Sequence, residues 1–146
     1  MGVRETIIEA FAKTPYPGDD NIAAPNWDDE GTTEYFRGKD WRGRSPKDLR
    51  QYASSLSFFT PDAFRFFLPA FMLAELDDPE TADIIAESIA FDFTQALSRE
   101  DRIRQFAKPE LAAIAAFFDE CAQRYLTFDY EYQWAAAEVR RFLGDA

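Results

Sequence analysis

Two adjacent carboxylates, Asp19 and Asp20, lie between a Pro-Gly pair and an asparagine in the stretch TPYPGDDNIAA, residues 14–24. Two carboxylates at a suitable separation can serve as general acid and general base in glycoside hydrolysis or in the activation of water, and neither role needs a histidine. The sequence identifies no second acid as a partner for this Asp pair, and such residues are also common in turns. We therefore expect no catalytic residue here, and a structural or a binding role instead.

The acidic run that follows, NWDDEG at residues 26–31, begins like the calcium-binding loop of a helix-loop-helix site. Asn26, Asp28 and Glu30 stand at the first, third and fifth positions, and a glycine stands at the sixth. Position 12 of such a loop supplies a bidentate glutamate, but here it is Arg37, so the sequence does not predict this calcium site. Hard divalent cations nonetheless favour several carboxylates, and the weak metal candidates are Asp28, Asp29 and Glu30.

Residues 14–31 show no regular periodicity, which predicts a long loop. Loops of this length in compact domains are functional or disordered, and the large aromatic side chains in and after this one favour order. We therefore expect an ordered loop that carries a binding site. The candidate binding residues are Asp19, Asp20, Asn21, Trp27, Trp41 and Arg65.

Arg65 belongs to that set because it stands among phenylalanines in a segment that also contains Pro69. A partly buried guanidinium is costly without a well-placed carboxylate, and the Asp pair would supply one. Pro69 has no N–H to donate to the carbonyl of Arg65, which leaves an acceptor for Asn21 or for the indole N–H of Trp41. In this interpretation the Asp pair clamps the loop on the helix, and in the alternative it binds a ligand or partner.

The composition limits the classes of function. The 146 residues include no histidine, which excludes Ser-His-Asp and Cys-His catalysis and His-ligated zinc. The formal net charge of −11 repels phosphate backbones, so we expect no nucleic-acid partner. The apolar stretch at residues 58–76 contains three charged residues and two prolines, so we expect a core helix there and no membrane contact.

The single cysteine, Cys121, cannot form an internal disulfide, and no secretory pattern precedes the first helical segment. These features predict a protein of the reducing cytoplasm. Helical spacing points Cys121 inward, which is typical of a small buried side chain rather than a reactive thiol. We expect no cofactor.

Apolar residues recur at spacings of three and four from end to end, and no run alternates as a half-buried strand would. The sequence therefore predicts an all-α fold: a helical bundle of about six to eight helices in a single domain, residues 1–146. We expect its long N-terminal loop to lie on a proline-kinked central helix. Capping side chains, first-turn prolines and early acids mark helix starts at Ser45, Thr60, Asp78 and Ser98. The predicted helices are 3–13, 32–37, 46–56, 61–76, 79–93, 99–106, 109–125 and 129–143.

Three motifs occur together: PYPGDDNI near the start, FRGKDW after it, and FTPDAFRFFLPAFMLAEL in the central helix. They resemble those of a family of small, uncharacterised bacterial proteins with YPGDDN, FxGxxW and TPEAFRYFLPAF-like motifs. The resemblance covers residues 11–76 closely and the helical remainder loosely. It implies a bacterial, cytoplasmic protein without an assigned activity. The chain departs from the family at Asp62 and Phe66, where the family has Glu and Tyr, and a site that needs that hydroxyl group would be weakened.

We expect a non-catalytic, acidic protein-binding module, of the immunity-protein or antitoxin type, that covers a basic protein surface. The alternative is a metal- or carboxylate-dependent hydrolase that uses the acidic loop at residues 19–30. A third interpretation is a homodimer whose interface is an aromatic face of Tyr130, Tyr132 and Trp134. The sequence does not fix the oligomeric state.

Overall fold

In the computed structural model, residues 1–24, 29–97 and 99–144 are described, and helices dominate them. Within these ranges the structure contains no strand, only an isolated bridge between Ala23 and Phe59, so the all-α prediction is confirmed. A 3-10 turn at Leu126–Phe128 precedes the last helix. The helices are α1 Val3–Ala10, α2 Thr32–Phe36, α3 Pro46–Gln51, α4 Ser55–Phe58, α5 Pro61–Asp77, α6 Pro79–Ala82, α7 Ile85–Thr94, α8 Arg99–Ile103, α9 Lys108–Arg124 and α10 Asp129–Leu143.

The described residues form two compact units. One unit comprises those within 1–12 and 89–146, where α9 packs against α10 and α1. The other comprises those within 13–88, where α5 packs against α3 and α6. The assignment of residues 1–146 to one domain stays a prediction.

Helix α5 forms the core of the 13–88 unit. It begins where the sequence signals predict, because the Thr60 Oγ1 accepts a hydrogen bond from the Ala63 backbone N–H at 3.1 Å and Pro61 occupies the first turn. Eleven of its seventeen residues are buried, including Pro69, so it is a core helix, as predicted. Phe67 on this helix packs against Phe36 and Phe59, with ring centroids 4.8 and 5.4 Å apart. These contacts fix the end of α2 and the start of α5 together.

The described residues form more helices than the six to eight expected, because two predicted helices are divided. The segment predicted as 79–93 consists of α6 and α7, and Asp83 between them has a positive φ of 55° that a helix does not contain. Asp78 caps α6 by accepting a hydrogen bond from the Thr81 N–H at 3.2 Å. The segment predicted as 46–56 consists of α3 and part of α4.

The other unit has a core of phenylalanines on α7, on α9 and just before α9. Phe93 contacts Phe106 and Phe118 with centroids 6.1 and 5.4 Å apart. Cys121 on α9 is fully buried, which confirms its predicted inward position. Across the described parts of the chain, no helix is both long enough and apolar enough to cross a membrane.

Candidate functional site

Hydrogen bonds attach loop residues 21–24 to the start of α5. The Thr60 hydroxyl, while it caps the helix, donates to the Asn21 carbonyl oxygen at 2.9 Å, and the Thr60 N–H donates to the Ile22 carbonyl oxygen at 3.1 Å. The Asn21 side-chain amide donates to Asp62 Oδ2 at 3.1 Å. The same helix N-terminus that the sequence predicts therefore holds the loop in position.

A tight turn precedes this attachment and presents the Asp pair. The Asn21 N–H donates to the Gly18 carbonyl oxygen at 3.1 Å, which places Asp19 and Asp20 at the two central positions. Gly18 has a φ of 105°, a backbone conformation that residues other than glycine rarely adopt. Both aspartates are exposed. We call residues 18–21 the Asp turn.

Tyr16 links the Asp turn to the end of α2. Its hydroxyl group donates to Asp19 Oδ1 at 2.7 Å and accepts from the Gly38 N–H at 2.7 Å. Its ring meets the Phe66 ring edge to face, with centroids 5.5 Å apart and planes at 83°. Burial raises the pKa of Tyr16; the Gly38 N–H opposes this, and the bond to Asp19 adds to it. The tyrosine is thus fixed at both its ring and its hydroxyl group.

The residues after α2 form the facing side. Gly38 has a φ of 74° and ends the helix in the left-handed conformation that glycine commonly adopts just after a helix. Arg37 Nε donates to the Asp19 carbonyl oxygen at 3.2 Å. The Lys39 ammonium group donates to the carbonyl oxygen of Tyr35 and lies 4.6 Å from the centroid of that ring. The loop segment and the segment after α2 are therefore joined by two hydrogen bonds, one to the Tyr16 hydroxyl group and one to the Asp19 carbonyl oxygen.

A surface hollow of about 230 Å³ lies where these segments meet. We call it the Tyr16 hollow. Its acid, Asp40, is held in position by Arg42, because Asp40 Oδ1 accepts from the Arg42 N–H at 2.9 Å and from Arg42 Nη1 at 3.0 Å. The hollow combines two aromatic rings, a carboxylate, an ammonium group and glycine backbone. Its lining residues are Tyr16, Gly38, Lys39, Asp40 and Phe66.

A family model for DUF6714, a family of unknown function, matches residues 5–140. The chain belongs to this family. No curated protein and no solved structure matches it. The matched range includes the Asp turn and the Tyr16 hollow, so both are parts of the DUF6714 region.

The predicted clamp between the Asp pair and Arg65 is wrong for this DUF6714 protein. Among the described residues, neither aspartate bonds to Arg65, which is half-buried on α5. Asp19 instead accepts a hydrogen bond from the hydroxyl group of Tyr16, three residues earlier. The attachment of the loop to α5 is real, but Asn21 and Thr60 make it.

The two tryptophans have different outcomes. Trp27 lies outside the described residues. Trp41 is buried, 2% exposed, with the Arg42 guanidinium 4.3 Å from its ring centroid. Its indole N–H meets no acceptor within the described part of the chain, so the predicted bond to the Arg65 carbonyl is absent. Trp41 therefore contributes packing beside Asp40 and no hydrogen bond to the described part of the loop.

Of the three weak metal candidates, Asp28 lies outside the described residues. Asp29 lies two residues before Gly31, the N-cap residue of α2, and its carboxylate accepts from the Thr33 N–H at 3.0 Å, the Thr33 hydroxyl at 2.6 Å and the Gly31 N–H at 3.1 Å. These bonds, the Thr33 hydroxyl first, lower the pKa of Asp29. Glu30 has a positive φ of 54° in the same turn. Where the chain is described, no three acids or cysteines are placed to hold a metal ion.

The sequence analysis did not include Tyr16 among the candidate site residues. Its link to Asp19 has a local signal, since a tyrosine three residues before an aspartate in a Pro-Gly turn can reach it. Its second link, to the Gly38 N–H, spans 22 residues and has no sequence signal. The hollow itself depends on that second link, which is why the sequence shows the loop but not its cavity.

Proposed function

We propose that this DUF6714 protein is a non-catalytic binding module whose partner is a basic protein. The binding surface consists of the Asp turn and the Tyr16 hollow. The observation that carries the proposal is the fixed geometry of Tyr16, which is bonded to Asp19 and Gly38 and packed on Phe66 while 37% of it stays exposed. A rigid aromatic side chain beside exposed carboxylates is a low-entropy contact for a protein partner.

The charge of this part of the chain supports a basic partner. Residues 13–88 contain fifteen acids and eight bases, so they carry −7 of the formal net charge of −11. An acidic surface steers a basic partner toward it and raises the association rate, an effect that salt screens. A role of the immunity-protein or antitoxin type, in which a small acidic protein covers a basic surface, fits this charge.

The contacts of the carboxylates support binding over hydrolysis. Asp19 and Asp40 accept hydrogen bonds from Tyr16 and Arg42, and these bonds hold the backbone segments of the surface in place. The hydrolase alternative rests on the acids of residues 19–30, and Asp29 among them is engaged by hydrogen bonds from Thr33 at the start of α2. We place the protein in a bacterial cytoplasm, where its buried Cys121 stays reduced.

Affinity capture from a lysate of the native organism, at low and at high salt, tests the proposal. The wild type is compared with Asp20→Asn, because the exposed Asp20 side chain makes no bond to the other described residues and its loss leaves the turn intact. Asp101→Asn on α8 is the matched control, an exposed acid of the other unit. We expect one basic protein that is retained at low salt and lost at high salt, and weaker retention by Asp20→Asn alone. Recovery of no such protein, or equal retention by both variants, overturns the proposal.

A further inference from the structure

We infer that the Tyr16 hollow receives an arginine side chain of the partner, with the guanidinium group on the rings of Tyr16 and Phe66 and its charge facing Asp40. The inference rests on the proposed function and adds the chemical group that the site recognises.

The aromatic walls suit a flat cation. The planes of the Tyr16 and Phe66 rings are at 83°, so they form a corner in which one ring presents its face beside the edge of the other. A guanidinium group is planar and weakly hydrated, and it stacks on aromatic faces more readily than an ammonium group does. Tyr16 is the exposed wall, while Phe66 is 5% exposed and forms the floor.

The charged groups of the hollow favour a cation over an anion. Lys39 directs its ammonium group to the Tyr35 carbonyl oxygen and ring, and the Gly38 N–H already donates to Tyr16. The Gly38 N–H and one of the three Lys39 N–H groups are therefore engaged inside the protein, and Lys39 turns its charge toward the Tyr35 ring. Asp40 Oδ2 accepts from Arg42 Nη1 at 3.2 Å, and a carboxylate oxygen has room for a second donor.

The size of the hollow limits the occupant to one side chain. Its volume of about 230 Å³ is below the ~300–1,000 Å³ typical of pockets for whole small-molecule ligands. A single guanidinium with part of its methylene stem fits such a space, whereas a nucleotide or a folded cofactor does not. The proposed occupant is thus a projecting arginine of the basic partner.

The test uses NMR titration of the isotope-labelled full chain with three capped tripeptides, whose central residue between two glycines is arginine, lysine or citrulline. Citrulline keeps the shape of arginine without its charge. We expect saturable shifts of the Gly38 and Lys39 amide resonances with the arginine peptide, weaker binding of the lysine peptide and none of the citrulline peptide. Asp40→Asn, which keeps an oxygen for the Arg42 N–H, should weaken arginine binding about fivefold, as for the loss of one exposed ion pair. Asp101→Asn should leave it unchanged.

The outcomes separate this inference from the proposed function. Equal shifts with arginine and citrulline peptides, equal affinity for lysine, or no effect of Asp40→Asn overturns the inference. If the lysate still yields a salt-sensitive basic partner in that case, the proposed function stands without it. If the arginine peptide binds as expected but no basic protein is captured, the hollow is an arginine site, but the proposed function is overturned and with it the assignment of that arginine to a basic partner.

Discussion

The hydroxyl group of Tyr16 lies 2.7 Å from Asp19 Oδ1 and 2.7 Å from the Gly38 nitrogen, so one oxygen atom joins two segments that are 22 residues apart. Asp19 alone is a turn residue, and Gly38 alone is a helix terminator. The tyrosine turns them into two walls of one surface, because its ring fills the space between them against Phe66.

Replacing Tyr16 by Phe should therefore loosen the surface without removing its ring. The Gly38 N–H and Asp19 lose a partner but reach water, so we expect a loss of about 1 kcal/mol in the free energy of unfolding, measured by urea titration. Capture of the basic partner should weaken as well. Tyr130→Phe, at a tyrosine that is 72% exposed, is the control, and a loss as large there would show that Tyr16 has no special role.

The Thr60 hydroxyl group makes two hydrogen bonds: it accepts from the Ala63 N–H, which caps α5, and it donates to the Asn21 carbonyl oxygen. Thr60→Ala should lower the free energy of unfolding by about 1–3 kcal/mol, the sum of a lost helix cap and a lost hydrogen bond. Thr60→Ser keeps the hydroxyl group and should retain most of the stability. Chemical denaturation of the three proteins checks this, and equal losses for alanine and serine would contradict it.

Thr60 and Asp19 show what the sequence can and cannot predict. Thr60 is readable because the capping signal Thr-Pro-Asp is local and its geometry follows from helix termini. The sequence does not predict the hydrogen-bond partner of Asp19. Several donors lie within reach of a turn, and the packing of the backbone determines which of them is close enough. Arg65 is the partner predicted from the cost of a partly buried charge, and it is half-buried as assumed, but Asp19 bonds to the hydroxyl group of Tyr16 instead.

Asp83 was hidden for a related reason. The apolar pattern continues past Asp83 and predicts one helix where the structure has two. Aspartate tolerates positive φ better than most residues, so the break occurs without a glycine or proline to mark it. Its φ of 55° and ψ of −103° lie outside the left-handed helical region. Only the three-dimensional path of the chain between α6 and α7 shows this break.

Relief of that backbone conformation gives a prediction at Asp83. Asp83→Gly should be more stable than Asp83→Ala by about 1–3 kcal/mol, because glycine adopts this conformation without the strain and both variants lose the bond to Arg50 equally. That bond is an exposed ion pair of 3.0 Å and is worth about 0–1 kcal/mol. Thermal unfolding of the two variants is the measurement, and a less stable glycine variant would mean that the conformation is not strained.

Asp92 on α7 gives a pH dependence. Its side chain is 3% exposed and lies 3.5 Å from Arg102 Nη1. Burial raises the pKa of Asp92 from 3.8 to about 6, although the charge of Arg102 opposes the rise. The folded protein therefore binds this proton more tightly than the unfolded chain, so its contribution to stability is complete below about pH 3.8 and is lost as the pH rises through about 6.

Asp92→Asn should remove this contribution. Because a shift of one pKa unit corresponds to about 1.4 kcal/mol, the stability of the wild type relative to the variant should fall by about 2 kcal/mol between about pH 4 and pH 7. Urea unfolding of both proteins across this range measures the difference, and other acids cancel in the comparison. Asp101→Asn, at an exposed acid, is the control for an Asp-to-Asn substitution as such. A constant difference for Asp92→Asn too would mean that Asp92 stays ionised throughout, because the attraction of Arg102 then outweighs the cost of burial.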